Sequence, residues 1–173
     1  MPTEGAPAPG PSHQVAYVGL GSNLEDPETQ VRRALQALDQ LPETRLLAAS
    51  GLYTTAPVGP QDQPDYVNAV ARLETRLTPL DLLAGLLAIE AAQGRRRDGS
   101  RWGPRILDLD LLLHGDTELD LPGLRLPHPE MHHRAFVLIP LADVAPPALR
   151  IHGQGDLGQL LTLCPDGGVT RLG

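Results

Sequence analysis

Asp108 and Asp110 are the residues of this sequence whose type and spacing best suit catalysis. They interrupt an apolar run, ILDLDLLLH (106–114), of the kind that forms a buried strand. Side chains two apart on a strand point to the same side, so both carboxylates would share one face, roughly 7 Å apart at their backbones. The opposite face, toward the core, would carry Leu107, Leu109, Leu111 and Leu113. Because two such carboxylates repel each other, a positive charge is expected beside them.

Arginine is the source of positive charge next to this strand. All 14 basic residues are arginines, which excludes a lysine Schiff base and a P-loop lysine. Five of them fall within residues 95 to 105: Arg95, Arg96, Arg97, Arg101 and Arg105. Guanidinium groups bind phosphate bidentately, and carboxylates without cysteines favour Mg²⁺, which completes its shell with water and phosphate. The segment therefore predicts metal-assisted phosphoryl transfer.

A less specific interpretation of the two carboxylates stays open. They would then be solvent-facing residues of an edge strand. The continuation of the strand as three leucines favours an interior strand instead, and the arginine-rich segment leads directly into it. Glu90, near the end of an apolar helix, is predicted to pair with those arginines.

Two further patterns resemble binding motifs but fit them poorly. GLGSN (19–23) has Leu24 where the third glycine of a dinucleotide motif belongs, so a tight structural turn is predicted, with an anion at the helix start as the alternative. His128 and His132 are four apart, but Pro129 and the lack of a third ligand argue against zinc, and His128 fits better as a phosphate contact. The remaining histidines are predicted to be surface residues: His13, His114, His133 and His152.

The loop TTAPVGPQDQPD (54–65) precedes two polar residues, Tyr66 and Asn68, on the outer face of the next strand. A planar heteroaromatic ligand would use a ring to stack on, an amide to bond its edge and free backbone donors. A proline-stiffened loop without any ligand explains the same residues. The loop alone does not decide between these interpretations.

The order of elements predicts an α+β fold. Strands are expected at 15–20, 45–53, 66–77 and 105–114, with helices at 26–41 and 78–94 capped by Asp26 and Thr78. This β-α-β-β-α-β order is typical of a ferredoxin-like sandwich, here with long active-site loops and a C-terminal extension. That extension would contain a turn or hairpin at 115–124 and a helix at 129–144 interrupted by Pro140.

Composition limits the possible classes of protein. Residues 1–13 are rich in proline and alanine and are predicted to be a disordered leader, followed by a single domain over 14–173. A net charge of −7 argues against nucleic-acid binding, and no apolar run is long enough for a membrane span. The single cysteine, Cys164, is consistent with a cytoplasmic protein, and we expect a monomer.

Four segments together resemble the hydroxymethyl-dihydropterin pyrophosphokinase family. They are GSNL (21–24), APVGPQDQPDYVNAV (56–70), RWGPRILDLDLLL (101–113) and PHPEMHHRAFVLIPL (127–141), in the family's order within residues 14–147. The resemblance implies transfer of pyrophosphate from ATP to 6-hydroxymethyl-7,8-dihydropterin, a step of folate biosynthesis that releases AMP. It also implies a ferredoxin-like fold.

The resemblance further implies a role for each matching residue. Asp108 and Asp110 would bind two Mg²⁺ ions, while Arg95 and Arg105 would act on the triphosphate as it breaks. ATP contacts would come from Arg97, Trp102, His128 and Arg134. The pterin would be held by Thr55, Val58, Tyr66, Asn68 and Phe136, with Tyr66 and Phe136 on either side of the ring.

Two alternatives from other classes remain at this stage. Another Mg²⁺-dependent nucleotide enzyme, such as a glycosyltransferase or phosphodiesterase, would also use the paired aspartates, but it gives the loop at 54–65 no role. A ferredoxin-like module that binds RNA through its arginines would show salt-sensitive binding independent of Asp108.

Overall fold

The computed structural model of the protein describes residues 13–24, 26–55, 65–93, 107–165 and 167–172. The predicted leader up to residue 12, most of the loop at 54–65 and the arginine-rich segment before Leu107 lie outside these residues. The strands are β1 Gln14–Ser22, β2 Thr44–Ala49, β3 Tyr53–Thr55, β4 Tyr66–Thr75, β5 Asp108–His114, β6 Leu119–Leu121, β7 Leu124–Leu126, β8 Arg150–Ile151, β9 Gly155–Asp156 and β10 Thr170–Arg171. The α-helices are α1 Pro27–Asp39, α2 Pro79–Ala92, α3 Ala135–Val144 and α4 Leu157–Leu163.

One antiparallel sheet organises the molecule. Its strands lie in the order β10, β3, β4, β1, β5, and β2 pairs with the far end of β4. The predicted strand at 45–53 is therefore two strands, β2 and β3, that follow the same side of β4. The break falls at Ser50, whose hydroxyl oxygen accepts a hydrogen bond from the Val70 amide (2.8 Å), so the side chain takes a place in the ladder.

Helices cover both faces of this sheet. On one face α1 and α2 pack over a cluster that includes Leu109 and Leu111, as the alternation predicts. On the other face α3 and α4 pack over Val70 and Leu113. The prediction for Leu113 was wrong, because a bulge in the pairing with β1 near Leu112 moves Leu113 to the second face. The interior of β4 is consequently buried on both sides.

Side-chain N-caps mark the starts of the first two helices. The Asp26 carboxylate accepts from the Thr29 hydroxyl (2.8 Å) and amide, and the Thr78 hydroxyl accepts from the Asp81 amide (3.1 Å), so both predicted caps are confirmed. Helix α3 differs from the prediction, because it continues through Pro140 without interruption. A short 3₁₀ turn, Met131–His133, precedes α3. In the described residues, no helix is both long and apolar enough to cross a bilayer.

The strand that carries Asp108 and Asp110 lies at the edge of the main sheet, not in its interior. The apolar run misled the prediction, because this edge is covered by side chains rather than by another strand. The hairpin β6–β7 packs its Leu124 and Leu126 into the same core as β5, and α2 lies alongside. An edge covered in this way buries leucines as an interior strand would.

Candidate active site

A row of residues across the sheet places the predicted site residues side by side. Asn68 on β4 pairs with Gly21 on β1, and Gly21 pairs with Asp108 on β5. Gly19 pairs with Asp110 one position along the same face. The prediction of a tight turn at GLGSN was wrong, because Gly19 to Ser22 form the end of β1.

The two strand glycines keep this face of the sheet open. A Cβ at Gly21 would lie 3.1 Å from Oδ1 of Asn68, so any larger residue would crowd that amide. Glycines at 19 and 21 also put no side chain between the carboxylates and Asn68. Their spacing of two along a strand was the signal in the sequence that could have revealed this role.

A cleft of about 690 Å³, called here the ring cleft, opens over this face. Its lining contains seven of the predicted site residues: Thr55, Tyr66, Asn68, Asp108, Asp110, Arg134 and Phe136. The rest of the lining comes from β1, Ala69 of β4, His133, the start of α3 and the C-terminal segment. The structure therefore brings the four predicted pterin-side residues that it describes and both aspartates into one space.

The polar and aromatic walls of the ring cleft are themselves held in place. Asn68 is buried and its amide donates a hydrogen bond to the Thr55 hydroxyl (2.9 Å). The guanidinium of Arg134 lies over the Phe136 ring, 5.6 Å from its centroid. These contacts orient an amide and an aromatic ring toward the same cleft, which suits a planar ligand with polar edges.

A second cleft of about 630 Å³, the hairpin cleft, lies between β5 and the hairpin β6–β7. Its lining includes Asp120, Arg125 and His128, and Asp110 lines it as well as the ring cleft. His128 is therefore the one described site residue that lies apart from the ring cleft. The two clefts meet at Asp110.

His128 is presented to the hairpin cleft as a neutral donor. Burial lowers its pKa below the ordinary value; Asp110 and Glu130 oppose that shift and Arg134 adds to it. The Glu130 amide donates to Nδ1 of His128 (3.1 Å), so the proton of the neutral ring is on Nε2. An Nε2–H group next to Asp110 can donate a hydrogen bond to a phosphate or nucleotide oxygen.

Glu90 has a role that the sequence did not reveal. It is buried near the end of α2, and its carboxylate accepts a hydrogen bond from the Leu109 amide (2.7 Å). Leu109 lies between the two aspartates on β5, the edge strand, so its bond to Glu90 holds the backbone that carries both carboxylates. Its predicted pairing with the arginines involves residues outside the described ranges.

Several predicted residues cannot be placed in either cleft, because Val58, Arg95, Arg97, Trp102 and Arg105 lie outside the described residues. One surface prediction was wrong: His114 is buried, with Nε2 2.8 Å from the Leu77 carbonyl oxygen. His13, His133 and His152 are exposed, as predicted.

Asp108 and Asp110 are the groups in the described ranges best suited to hold a metal ion. No cluster of three or more histidine, cysteine or acidic side chains capable of holding a metal forms in those ranges. Two carboxylates that share an open cleft fit Mg²⁺, which commonly takes one or two protein carboxylates and fills its octahedron with water and phosphate oxygens. The donor set is unsuited to a closed zinc site.

Known relatives give the class of protein and then the family. Proteins from Pseudomonas aeruginosa (57% identical over 92% of this chain and 97% of their own) and Haemophilus influenzae (52% over 75% and 81%) are both named 2-amino-4-hydroxy-6-hydroxymethyldihydropteridine pyrophosphokinase. The chain is thus a transferase of the pyrophosphokinase class, active in folate biosynthesis. The profile of the family described as 7,8-dihydro-6-hydroxymethylpterin-pyrophosphokinase matches residues 17–146, and the chain belongs to that family.

Solved structures agree on the fold. A Plasmodium falciparum HPPK-DHPS structure with pterin and p-hydroxybenzoate has a TM-score of 0.68 at 15% identity, covering 88% of this chain and 43% of that one. The same protein with pteroate also has a TM-score of 0.68. This chain thus spans less than half of those chains, and the likeness concerns the fold alone. Family membership sets aside the glycosyltransferase, phosphodiesterase and RNA-binding alternatives.

Proposed function

We propose that the protein transfers pyrophosphate from ATP to the hydroxymethyl group of 6-hydroxymethyl-7,8-dihydropterin and releases AMP. The observation that carries this proposal is the position of Asp110 on the shared wall of the two clefts. A ring bound in one cleft and a nucleotide bound in the other would bring acceptor and phosphates together at the aspartates.

The ring cleft would bind the pterin. Tyr66 and Phe136 would stack on the two sides of the ring, while Thr55 and Asn68 would hydrogen-bond its edge, together with the backbone near Val58. In support, Asn68 and Thr55 are buried, hydrogen-bonded to each other and open to the cleft. Polar groups that are fixed before the ligand arrives reduce the entropy lost on binding.

The hairpin cleft would bind the nucleotide. His128 would donate from Nε2, and Arg134, which lines the ring cleft, would contact the phosphates from that side. Arg97 and Trp102 would complete this binding through the segment before β5. Support comes from the neutral, inward-facing His128 and from its electrostatic proximity to both Asp110 and Arg134.

Asp108 and Asp110 would hold two Mg²⁺ ions at the junction of the clefts. Bound there, the ions would neutralise phosphate charge and polarise the phosphoryl oxygens. Arg95 and Arg105 would stabilise the negative charge that develops on the triphosphate. The proposal needs the carboxylates held in a fixed position, which the Glu90 hydrogen bond to Leu109 supplies.

The chain's own residues would achieve the reaction mainly by positioning. The hydroxymethyl oxygen would attack the β-phosphorus in line and lose its proton to solvent, forming one O–P bond as the bond between the β-phosphorus and the α-phosphate oxygen breaks and AMP leaves. Tyr66, Phe136 and Asn68 would hold the attacking group, and His128 and Arg134 the triphosphate. Holding both substrates in reacting geometry contributes a large part of the rate.

We also infer that the core is a ferredoxin-like sandwich and that the protein is a monomer. The strand order β3, β4, β1, β5, with every pair antiparallel and with α1 and α2 on one face, supports the first inference. Light scattering in solution tests the second.

The first experiment identifies the nucleotide product and tests whether turnover requires the dihydropterin and Mg²⁺. Purified protein with ATP and Mg²⁺ is expected to form AMP, with no ADP, only when the dihydropterin is present. The same assay without added Mg²⁺, and with a chelator, should show no turnover. ADP as the product, or turnover without the pterin, would overturn the proposal.

A further inference from the structure

The C-terminal segment forms one wall of the ring cleft. Cys164, Pro165, Gly167 and Val169 line the cleft opposite the sheet. Residues 164–165 and 167–172, called here the C-terminal wall, lie beyond the part of the chain that matches the family profile, which ends at residue 146. The match to the family profile therefore does not extend to the wall and assigns it no role.

Main-chain pairing attaches this wall to the strand that carries Thr55. Thr170 and Arg171 pair with Thr54 and Tyr53 of β3, which makes β10 the outermost strand of the sheet. The Leu172 amide extends the pairing by donating to the Leu52 carbonyl (2.8 Å). Val169 immediately precedes β10, so this pairing fixes its position at the cleft.

Arg171 joins the wall to the helix that carries Phe136. Its Nη1 lies 3.5 Å from the Asp143 carboxylate on α3, and the guanidinium lies over the Tyr53 ring, 5.7 Å from the centroid. The same carboxylate oxygen accepts hydrogen bonds from the Tyr53 hydroxyl (2.7 Å) and the Gly51 amide (3.0 Å). A single carboxylate therefore connects β3, α3 and the C-terminal wall.

Gly51 gives this connection its space. A Cβ at residue 51 would lie 2.8 Å from the Arg171 guanidinium carbon, so any larger residue would displace the arginine. An exposed ion pair by itself contributes little, and Arg171 is largely exposed. Its effect comes from linking β3, α3 and the C-terminal wall, which contributes Val169 to the cleft.

We propose that the C-terminal wall determines affinity for the planar ring, and that Arg171 is the positioning residue that holds the wall against Tyr53 and Asp143. The inference rests on the proposed function, because it assumes that the ring cleft binds the pterin. It assigns the wall no part in nucleotide binding, since none of its residues lines the hairpin cleft.

The test uses Val169→Trp with Thr170→Trp as the matched control. Val169 is half-buried at the cleft, whereas its exposed neighbour Thr170 does not line it. Val169→Trp is expected to weaken dihydropterin binding at least tenfold by filling the cleft and to leave binding of α,β-methylene ATP within twofold of wild type. Thr170→Trp should leave both affinities near wild type.

Arg171→Ala removes the contacts with Asp143 and Tyr53 without changing a residue that lines the cleft. We expect about threefold weaker dihydropterin binding and unchanged nucleotide binding, with partial recovery in Arg171→Lys. Arg45→Ala is the control, because it removes a similarly exposed ion pair, to Glu74, from the same sheet. A merely structural role for Arg171 would lower the melting temperature and leave the two affinities in their wild-type ratio.

The outcomes separate the two proposals. If folded Val169→Trp binds the dihydropterin as wild type does, the role of the wall is wrong while the enzyme's function stands. If wild type itself fails to bind the dihydropterin, the assignment of the ring cleft fails, and with it the proposed function. Should Val169→Trp not fold, Arg171→Ala beside Arg45→Ala decides the question by the ratio of affinities.

Discussion

The ring cleft and the hairpin cleft share Asp110 but are built differently. The ring cleft has walls from β1, β3, β4, β5, α3 and the C-terminal wall, and its polar groups Thr55 and Asn68 are buried. The hairpin cleft is enclosed on one side by the turn between β6 and β7, where residues 120–123 are exposed. On β7, Leu124 next to the turn and Leu126 at the base of the hairpin are both buried in the core, so the exposed part is the turn itself with β6.

This difference indicates how each cleft selects its ligand. Fixed, buried hydrogen-bonding groups discriminate strongly, because a ligand that leaves them unpaired incurs a desolvation cost of about 1–3 kcal/mol for each. The exposed turn and the charged side chains of Asp120 and Arg125 would hold a ligand in the hairpin cleft mainly through charge. Specificity is therefore expected from the ring cleft, and charge-dependent, salt-sensitive binding from the hairpin cleft.

The largest effect is expected where the clefts meet. Asp110→Asn removes a charge from both, so turnover should fall at least about 100-fold, while binding of the dihydropterin alone changes little. Asp108→Asn should also lose most activity. Initial rates of AMP formation, measured across Mg²⁺ concentrations, give the result, and the Mg²⁺ dependence of nucleotide binding provides a second readout.

Asp116→Asn is the control for both aspartates, since Asp116 is exposed in the turn after β5 and lines neither cleft. All three variants should keep their free energy of unfolding within about 0.5 kcal/mol of wild type. Wild-type turnover in Asp110→Asn would show that the clefts do not share this residue in the reaction.

The next effect concerns the backbone that supports the shared wall. Glu90→Ala leaves the Leu109 amide without its acceptor and should lower the free energy of unfolding by about 1–3 kcal/mol, whereas Glu90→Gln retains an acceptor oxygen and should lose less. Hydrogen exchange at the Leu109 amide should accelerate in Glu90→Ala. Glu74→Ala, which removes a surface ion pair on the same sheet, is the control; equal losses for Glu74→Ala and Glu90→Ala would contradict the anchoring role.

The sequence predicted the main elements well because local signals agreed with tertiary packing. Asp26 and Thr78 cap helices as their side-chain chemistry indicates, and the alternation along β4 and β5 placed the core leucines up to Leu111. The site residues that the structure describes also lie together, apart from His128. The spacing of the motifs was sufficient to predict that these residues lie together, because the pairing of β4, β1 and β5 aligns them across the sheet.

Features that depend on partners distant in sequence could not be predicted. The sequence does not show that β5 is an edge strand, because Glu90 and the β6–β7 hairpin cover it and its residues are therefore apolar. The bulge that moves Leu113 to the second face exists only in the pairing of β5 with β1. GLGSN resembled a turn because glycine is rare in strands. Gly19 and Gly21 keep the sheet face between Asn68 and the aspartates free of side chains. That face is defined only by the register of β4, β1 and β5.

The hairpin cleft alone should respond to His128→Ala. Loss of one hydrogen bond from neutral Nε2 is expected to weaken α,β-methylene ATP binding about tenfold and to leave the dihydropterin affinity unchanged. Isothermal titration calorimetry with each ligand in turn measures both. His152→Ala, an exposed histidine paired with Glu118, should match wild type; a loss of dihydropterin affinity in His128→Ala would mean that the two clefts are not independent.

The smallest effect isolates stacking in the ring cleft. Phe136→Leu keeps an apolar side chain at the start of α3 but removes the aromatic face, which is worth about 0.5–1.5 kcal/mol, so dihydropterin binding should weaken about two- to tenfold. Phe136→Tyr keeps the ring and should bind nearly as wild type does. Because Arg134 lies over this ring, nucleotide affinity must be measured in the same variants. Equal losses for both ligands would place Phe136 at the junction beside Asp110 rather than in the ring cleft alone.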